Sequence, residues 1–579
     1  MIETLRDQLE ARLQTALVAA GAPADSPAMV QPAARPEFGD YQANGIMGAA
    51  KRAGMKPRDL AARVIELARI DDLVEHAEIA GPGFINLRLA ADVLASWTQA
   101  LEARVLTPRA PNGPVVVIDY SSPNLAKEMH VGHLRSTVIG DALARTLEHT
   151  GHRVIRQNHV GDWGTQFGML LAYMNTLESD GDSASLEHEL ADLEAFYRSA
   201  RERFDADPAF AATARETVVR LQSGDAECLK RWQQFIDISL SHCEALYVRL
   251  GVTLTRADVH AESAYNDDLA RVVADLDAKG LLTESDGAQC VFLDEFRGKD
   301  DAPLPLIVRK SDGGYLYATT DLAAVRHRSG TLHADRALYL VDNRQSLHFR
   351  QVFAVARAAG FARDDLSLEH MPFGTMLGED GRPFRTRAGE VVKLSELLDE
   401  AEQRAFRLVS ERSPELPESE RQEIARVVGI GAVKYADLSK NRTSDYVFAW
   451  DSLLSLDGNT APYQQYACSR VRSLLVKAAV DPDSFDAPMA FDAPAERMLA
   501  LTLARMPEVL NAVVATGQPH LLCTWLYDLS SAFMTFYEQC PVLTAEPAVR
   551  DSRLALARRV GAALKAGLGL LGIETVDRM

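Results

Sequence analysis

The sequence of 579 residues has few cysteines and no long apolar run. Its six cysteines form no CxxC pair and have no histidine at zinc-ligand spacing, so neither a structural zinc site nor a disulfide framework is expected. No apolar run approaches the ~18 residues that span a bilayer. Glu3, Asp7 and Glu10 interrupt the region where a signal peptide would be apolar. We therefore expect a cytoplasmic protein that does not bind membranes.

An excess of basic charge is also lacking. The chain carries 62 basic and 81 acidic residues, a formal net charge of −19. This balance excludes binding of nucleic acid through a uniformly basic surface, so any RNA contact must be local. The hydrophobic content of 47% and charged content of 25% are those of an ordinary folded protein.

The length exceeds the roughly 250 to 300 residues that one hydrophobic core organises, so we expect three domains. The segment 107–114 has three prolines and a glycine, which cannot continue a helix or a central strand. It separates a small α/β domain at 1–110 from an α/β domain at 111–425. A mostly helical insertion is expected at about 176–300, and the pattern at 426–579 is helical throughout.

The segment Val115 to Tyr120 is apolar and rich in β-branched residues, which is typical of a strand buried on both faces of a parallel sheet. A helix at about 131–149 and a second strand at 153–156 complete a βαβ unit. The predicted fold is therefore a Rossmann-type parallel sheet. Nucleotides bind such sheets where a strand ends and a helix begins, because backbone N–H groups and the helix dipole favour phosphate there.

The motif His130-Val131-Gly132-His133 opens the predicted helix. Because His130 and His133 are three residues apart, both project to one side and can donate to the same α-phosphate as it becomes five-coordinate. Gly132 lacks a side chain that would keep a ligand off the backbone. An HxGH motif after a strand occurs in class I aminoacyl-tRNA synthetases and in small adenylyl- and cytidylyltransferases. These four residues do not distinguish the two groups.

Similarity along nearly the whole chain distinguishes them. In their order, the blocks at 38–44, 80–87, 161–168, 312–323, 381–394 and 431–466 resemble the bacterial-type arginyl-tRNA synthetases of class I. The resemblance implies a Rossmann catalytic domain, an N-terminal tRNA-binding domain and an α-helical anticodon-binding domain. It also implies ligation of L-arginine to tRNA(Arg) with ATP and Mg²⁺, without zinc, a tightly bound cofactor or an obligate protein partner, by a monomer. Activation of arginine is then expected to require bound tRNA.

The ATP site is expected to include basic residues outside the histidine motif. The second class I signature is degenerate here, Phe384 to Gly389, where Arg385 and Arg387 supply positive charge for the triphosphate. By resemblance, Lys127 compensates for the lysine that this loop lacks. Asn124 completes the expected ATP site, and no metal ligand is expected.

Recognition of arginine calls for carboxylates and a buried hydrogen-bond acceptor, because the guanidinium is planar and always charged. Asp119 ends the first predicted strand, and Tyr317 and Asp321 lie four residues apart. The resemblance places Tyr317, Asp321 and Gln345 around the arginine side chain. The set expected to bind arginine consists of Asp119, Ser121, Asn158, Tyr317, Asp321 and Gln345, with Ser121 and Asn158 near the α-amino end.

Two alternative functions belong to other functional classes. A small nucleotidyltransferase shares the histidine motif but has no use for the helical segment at 426–579. A synthetase-like protein that binds RNA or a partner without catalysis would be favoured by loss of a motif histidine or a pocket carboxylate, and both are present. A dehydrogenase and a P-loop enzyme are disfavoured because no GxGxxG follows the first strand and no GxxxxGK[ST] occurs.

Overall fold

The computed structural model of the chain describes residues 2–179, 192–298, 301–385 and 391–579. Two compact units are present. One consists of Ala110–Leu453 with Leu571–Ile573, and the other of Met1–Arg109, Leu454–Leu570 and Glu574–Met579. The domain limit expected at 425 falls inside the helix Glu418–Leu438. The limits of the three domains therefore stay a prediction.

The N-terminal part of the second unit is a small α/β structure. Its elements are α1 (Leu5–Ala19), β1 (Val30–Pro32), β2 (Tyr41–Ala43), α2 (Ile46–Ala53), α3 (Pro57–Leu67), β3 (Val74–Ala80), β4 (Phe84–Leu89) and α4 (Ala91–Gln99). The four strands form an antiparallel sheet in the order β1-β2-β4-β3. Helix α1 begins where Thr4 accepts a hydrogen bond from the N–H of Asp7 at 2.9 Å, and its leucines at four-residue spacing are buried.

The first unit alternates strands and helices. Its elements are β5 (Val115–Asp119), α5 (Val131–His149), β6 (Arg153–Gln157), α6 (Thr165–Ser179), α7 (Leu193–Ala206), α8 (Pro208–Gln222), α9 (Ala226–Leu250), α10 (Asn266–Ala278), β7 (Leu282–Ser285), β8 (Ala288–Val291), β9 (Leu306–Arg309), α11 (Tyr317–Gly330), β10 (Arg336–Tyr339), α12 (Ser346–Ala358), β11 (Ser367–His370), β12 (Met376–Leu377), α13 (Leu394–Arg412), α14 (Glu418–Leu438), β13 (Tyr446–Val447) and α15 (Trp450–Leu453).

A parallel sheet in the order β11-β10-β5-β6 forms the centre of this unit. Strand β5 lies between two neighbours, which is why its sequence is almost continuously apolar. Tyr339, Asp119 and Gln157 stand side by side in register where β10, β5 and β6 end. The predicted Rossmann-type fold is confirmed, and the three strand ends meet at one edge of the sheet.

Within the range of the predicted insertion, the residues that the structure describes are mostly helical. It contains α7, α8, α9 and α10 and ends in strands of an antiparallel sheet, β7-β8-β9. Helices α10, α11 and α12 share one apolar core with β10, in which Val272, Leu322 and Val352 have no exposed surface. This core packs the three helices against the central sheet.

The C-terminal part of the second unit is helical. Its helices are α16 (Ala461–Lys477), α17 (Pro494–Ala504), α18 (Met506–Thr516), α19 (His520–Gln539) and α20 (Pro547–Leu570). The stretch Pro494–Thr516 is long and apolar enough to cross a membrane by length and composition, but 67% of its most apolar window is buried, as in a core helix. Within this unit, Tyr41 donates to Glu508 at 2.6 Å.

Candidate active site

Helix α5 begins at the histidine motif with a reciprocal cap. Nδ1 of His130 accepts a hydrogen bond from the N–H of Gly132 at 3.0 Å, and Nδ1 of His133 accepts one from the N–H of His130 at 3.1 Å. The two ring centroids are 4.0 Å apart. The histidines thus satisfy N–H groups that the helix itself leaves unpaired.

This cap determines the tautomer of both rings. Because each Nδ1 accepts a hydrogen bond, a neutral ring carries its proton on Nε2 and can donate it. Burial, with the neighbouring His130, lowers the pKa of His133 to about 3, and burial lowers the pKa of His130 as well. The motif therefore offers two neutral N–H donors at the positive end of a helix dipole.

Gly132 is required by the motif itself. A Cβ at this position would lie 2.7 Å from Cε1 and 2.9 Å from Nδ1 of His130. The sequence suggested that this glycine leaves room for a ligand. In the structure the histidine ring occupies that side of the backbone, so a larger residue would displace His130.

The segment before α5 is held by Lys393. Its backbone pairs with that of His130, and Nζ lies 3.2 Å from Oε2 of Glu128 and 3.0 Å from Oδ1 of Asp192. Asp192 also caps α7, accepting the N–H of Ala195 at 3.0 Å. The first helix described in the insertion is thereby tied to the histidine motif.

The other basic residues of the predicted ATP site lie around this segment. Lys127 is exposed and places Nζ 4.1 Å from the ring centroid of Tyr197 on α7. Arg385 is exposed and its backbone pairs with Val391. Arg387 lies outside the described residues, so its predicted contact with phosphate stays a prediction.

A strained turn follows β5. Ser121 and Ser122 both have positive φ, +69° and +46°, in a region that residues with a Cβ seldom adopt. Side chains from elsewhere hold the turn: Ser136 Oγ accepts the N–H of Ser121 at 3.0 Å, and Asn158 Oδ1 accepts the N–H of Ser122 at 2.9 Å. Strain maintained by its surroundings is characteristic of functional sites.

Asn124, predicted to bind ATP, lies at the end of this turn. Its backbone pairs with that of Gly161, and its Oδ1 accepts the N–H of Ala126 at 3.0 Å. The residue is exposed. Along the sequence, Asn124 lies between the strained turn and the histidine motif.

Asp119 is engaged by the protein's own residues. Its Oδ2 lies 2.7 Å from Nη2 of Arg328, and its Oδ1 accepts the hydroxyl of Ser122 at 2.8 Å. Arg328 also donates to Gln157 at 2.6 Å and stacks 4.5 Å from the ring centroid of Tyr339. The carboxylate predicted to bind an arginine thus already holds a buried guanidinium.

Two of the residues predicted around the arginine side chain, Tyr317 and Asp321, meet at His348. Its Nε2 lies 2.6 Å from Oδ2 of Asp321, and its ring packs edge-on against Tyr317 with 5.9 Å between centroids. Tyr317 is 69% exposed, and Gln345 is exposed in the short turn Asn343–Gln345 before α12. His348, which the sequence did not single out, joins two of the predicted residues.

Glu262 is a second residue that the sequence did not single out. Burial, followed by the negative charges of Asp162 and Asp321, raises the pKa of Glu262 to about 7. Asp162 accepts the N–H and the hydroxyl of Ser263 at 2.9 and 2.5 Å. These carboxyl groups form an acidic cluster, and a cation of planar geometry such as a guanidinium would relieve their mutual repulsion.

The structure thus brings the predicted residues into two groups. The histidine pair, Gly132 and the turn at Ser121 gather near the carboxyl edge of the sheet, whereas Tyr317, Asp321 and Gln345 lie on α11 and before α12. Among the residues that the structure describes, no three His, Cys, Asp or Glu side chains are arranged to hold a metal ion.

Three family models match the chain in sequence order. The Arginyl tRNA synthetase N terminal domain matches residues 3–89, the catalytic domain of tRNA synthetases class I (R) matches 96–450, and the DALR anticodon binding domain matches 464–579. The three matches cover most of the chain, and the catalytic one contains the central sheet and the histidine motif.

Relatives and solved structures match from end to end. The arginine–tRNA ligase of Hahella chejuensis (strain KCTC 2396) is 59% identical over 99% of this chain and 100% of its own length. That of Laribacter hongkongensis (strain HLHK9) is 57% identical over 100% of both chains. The crystal structure of the arginyl-tRNA synthetase from Plasmodium falciparum superposes with a TM-score of 0.86 at 27% identity, and the Thermus thermophilus enzyme with 0.82 at 26%, each over 100% of both chains. The chain belongs to the arginine–tRNA ligase family of class I aminoacyl-tRNA synthetases.

Proposed function

We propose that this chain activates L-arginine with ATP and transfers it to the 3′ end of tRNA(Arg). The arginine carboxylate attacks the α-phosphate, forming a P–O bond while the bond to pyrophosphate breaks, and arginyl-adenylate results. A terminal ribose hydroxyl of the tRNA then attacks the arginyl carbonyl and AMP leaves. The observation that carries this proposal is the pair of neutral histidine Nε2–H donors at the start of α5.

Catalysis of the first step requires positioning and charge stabilisation rather than a protein nucleophile. His130 and His133 donate to the α-phosphate, where negative charge increases on the oxygens in the transition state. Neutral donors suit this task because they need no proton exchange with solvent. Lys127, Arg385 and Arg387 neutralise the pyrophosphate that leaves.

Two further features belong to the proposed ATP site. Asn124 holds the end of the strained turn next to the nucleotide, and Gly132 allows His130 to keep its cap. Mg²⁺ enters with ATP as part of the substrate. No tightly bound cofactor or zinc takes part.

The arginine side chain is proposed to lie against the acidic cluster. Asp321 and Glu262 accept the guanidinium hydrogens, and Tyr317 and Gln345 cover the open side. Lysine cannot make the paired contacts of a planar guanidinium, so it would leave carboxylate oxygens unpaired, at a cost of several kcal/mol.

The amino end of arginine is proposed to lie at the strained turn, near Ser121 and Asn158. Asp119 acts at this end through Ser122, whose hydroxyl it accepts at 2.8 Å. Its negative charge is balanced by Arg328, so it orients the turn without adding charge to the pocket.

Each of the three predicted domains is proposed to have its own role. Residues 1–110 are proposed as an additional tRNA-binding domain, 111–425 as the catalytic domain with its insertion at about 176–300, and 426–579 as the anticodon-binding domain. We further propose that the protein works as a monomer in the cytoplasm, without an obligate protein partner.

Exchange of radiolabelled pyrophosphate into ATP tests the activity. With tRNA(Arg) present, arginine should support exchange and lysine should not. His130→Ala should lower the exchange rate by a factor of about 10² to 10³, the usual loss for one transition-state donor. Equal rates with arginine and lysine would refute the substrate, and an unchanged rate in His130→Ala would refute the role of the histidine.

A further inference from the structure

Four buried side chains form a continuous chain of hydrogen bonds behind the strained turn. Asn158 Nδ2 lies 3.0 Å from Oη of Tyr247, and Tyr247 Oη lies 2.8 Å from Oγ of Ser121. Thr137 Oγ1 then lies 2.9 Å from Ser121 Oγ and 2.7 Å from the carbonyl oxygen of His133. These hydrogen bonds thus connect Asn158 to the histidine motif.

The second hydrogen bond of the Asn158 amide determines the direction of its bond to Tyr247. Asn158 Oδ1 accepts the N–H of Ser122, so its amide nitrogen faces Tyr247 and donates to it. At the other end the proton of the Thr137 hydroxyl faces two acceptors, Ser121 Oγ and the carbonyl oxygen of His133. Between Ser121 and Tyr247 either hydroxyl can donate, so the two share one hydrogen bond at 2.8 Å.

Tyr247 is the central link. It comes from α9 in the insertion, far along the chain from the turn, and is 3% exposed. Its hydroxyl accepts from Asn158 and shares a hydrogen bond with Ser121, so removing it deprives the buried Asn158 amide and the Ser121 hydroxyl of one partner each. Hydrogen bonds in a connected buried network strengthen one another, because each one polarises its neighbours.

We propose that Tyr247 is a positioning residue for arginine. This inference rests on the proposed function, in which Ser121 and Asn158 lie at the amino end of the substrate. Tyr247 touches neither substrate nor reacting atoms. Its hydroxyl holds the strained backbone of Ser121 and the amide of Asn158 in the geometry that receives arginine, and it joins them to the helix turn that carries His133.

Tyr247→Phe tests the role, because it removes one oxygen and keeps the ring. The KM for arginine in pyrophosphate exchange should rise about tenfold, the effect of one buried hydrogen bond, while the KM for ATP changes by less than about twofold. Tyr265→Phe is the matched control, since the Tyr265 hydroxyl is also buried but makes no hydrogen bond within the described part of the chain. The control should leave both KM values unchanged.

A second variant interrupts the same row of hydrogen bonds at Thr137. Thr137→Val replaces a hydroxyl by a methyl group of similar size and should raise the KM for arginine in the same direction. In the double variant with Tyr247→Phe, the combined increase should be smaller than the product of the two single increases, because both act on one chain.

The KM values and melting temperatures of these variants decide whether Tyr247 positions arginine. An arginine KM in Tyr247→Phe equal to that of Tyr265→Phe would overturn the proposal, as would equal losses in both KM values accompanied by a lower melting temperature. If the parent protein shows no arginine-dependent exchange, the proposed function fails and the role of Tyr247 fails with it. Normal exchange by the parent beside an unaltered Tyr247→Phe variant rejects the role of Tyr247 alone.

Discussion

Asp119 and Arg328 form a buried ion pair, with 2.7 Å between Oδ2 and Nη2. The two residues are 209 positions apart, and the side chain of Arg328 is 1% exposed. The protein therefore binds one of its own guanidinium groups at the end of β5, next to the turn where arginine is proposed to bind. The pair neutralises a carboxylate at the end of β5 that would otherwise be buried beside the acidic cluster.

Breaking this pair should destabilise the catalytic unit. Arg328→Met leaves Asp119 buried without a counter-charge and removes the donor to Gln157, so the free energy of unfolding should fall by about 3 to 5 kcal/mol. The double variant Asp119→Asn/Arg328→Met should lose less than the sum of the two single losses. Urea unfolding followed by tryptophan fluorescence measures these values. A loss below about 1 kcal/mol in Arg328→Met would contradict the expected cost of an unpaired buried charge.

Gly132→Ala should separate activity from stability. The new Cβ would meet the ring of His130, so the kcat for pyrophosphate exchange should fall towards that of His130→Ala, whereas thermal stability should change little. In the His130→Ala background the same change should have no further effect on kcat. Gly48→Ala is a suitable control, because Gly48 lies in α2 and an added Cβ there meets no atom within 4 Å. Activity retained in Gly132→Ala would show that the ring has room to move.

The pH dependence of exchange should reveal neutral histidines. With the pKa of His133 lowered to about 3, this ring is already uncharged at pH 6 and stays so at pH 8. The kcat at saturating ATP and arginine should therefore show no loss as the pH rises from 6 to 8. A cationic histidine of ordinary pKa would instead lose activity across this range. Such a loss, absent from His133→Ala, would contradict the neutral state of His133.

Arginine affinity should rise with pH through the titration of Glu262. Its pKa of about 7 means that the carboxyl group is mostly protonated at pH 6 and mostly charged at pH 8. A guanidinium prefers the charged form, so binding releases a proton and the KM for arginine should fall by up to about tenfold over this range. Calorimetry in two buffers of different ionisation enthalpy would detect the released proton. Glu262→Gln should abolish the dependence, and a KM that remains pH-dependent in that variant would point to another group.

The same carboxyl group affects the stability of the free protein with the opposite sign. Its pKa is raised from 4.5 to about 7 in the folded state, so the folded protein binds the proton more tightly than the unfolded chain does. The contribution of Glu262 to the free energy of unfolding is therefore largest below pH 4.5 and is lost as the pH rises through 7. Comparison of Glu262→Gln with the parent protein at pH 6 and pH 8 isolates this contribution.

The sequence by itself determined the local elements that build the site. Val115 to Asp119 forms the central strand, α5 spans the predicted helix, and the histidine motif stands at its start. These predictions succeed because strand burial, helix periodicity and capping depend on residues close together in the chain. The family resemblance, which depends on motifs in a fixed order, likewise needs no coordinates.

Only the tertiary structure decided how the candidate site residues are paired. Asp119 is paired with Arg328, Glu262 is placed beside Asp162 and Asp321, and Tyr247 reaches Ser121 from another helix. Hydrogen bonding, desolvation and charge repulsion in a buried site depend on which distant residues are brought together, and no local pattern of residues encodes those partners.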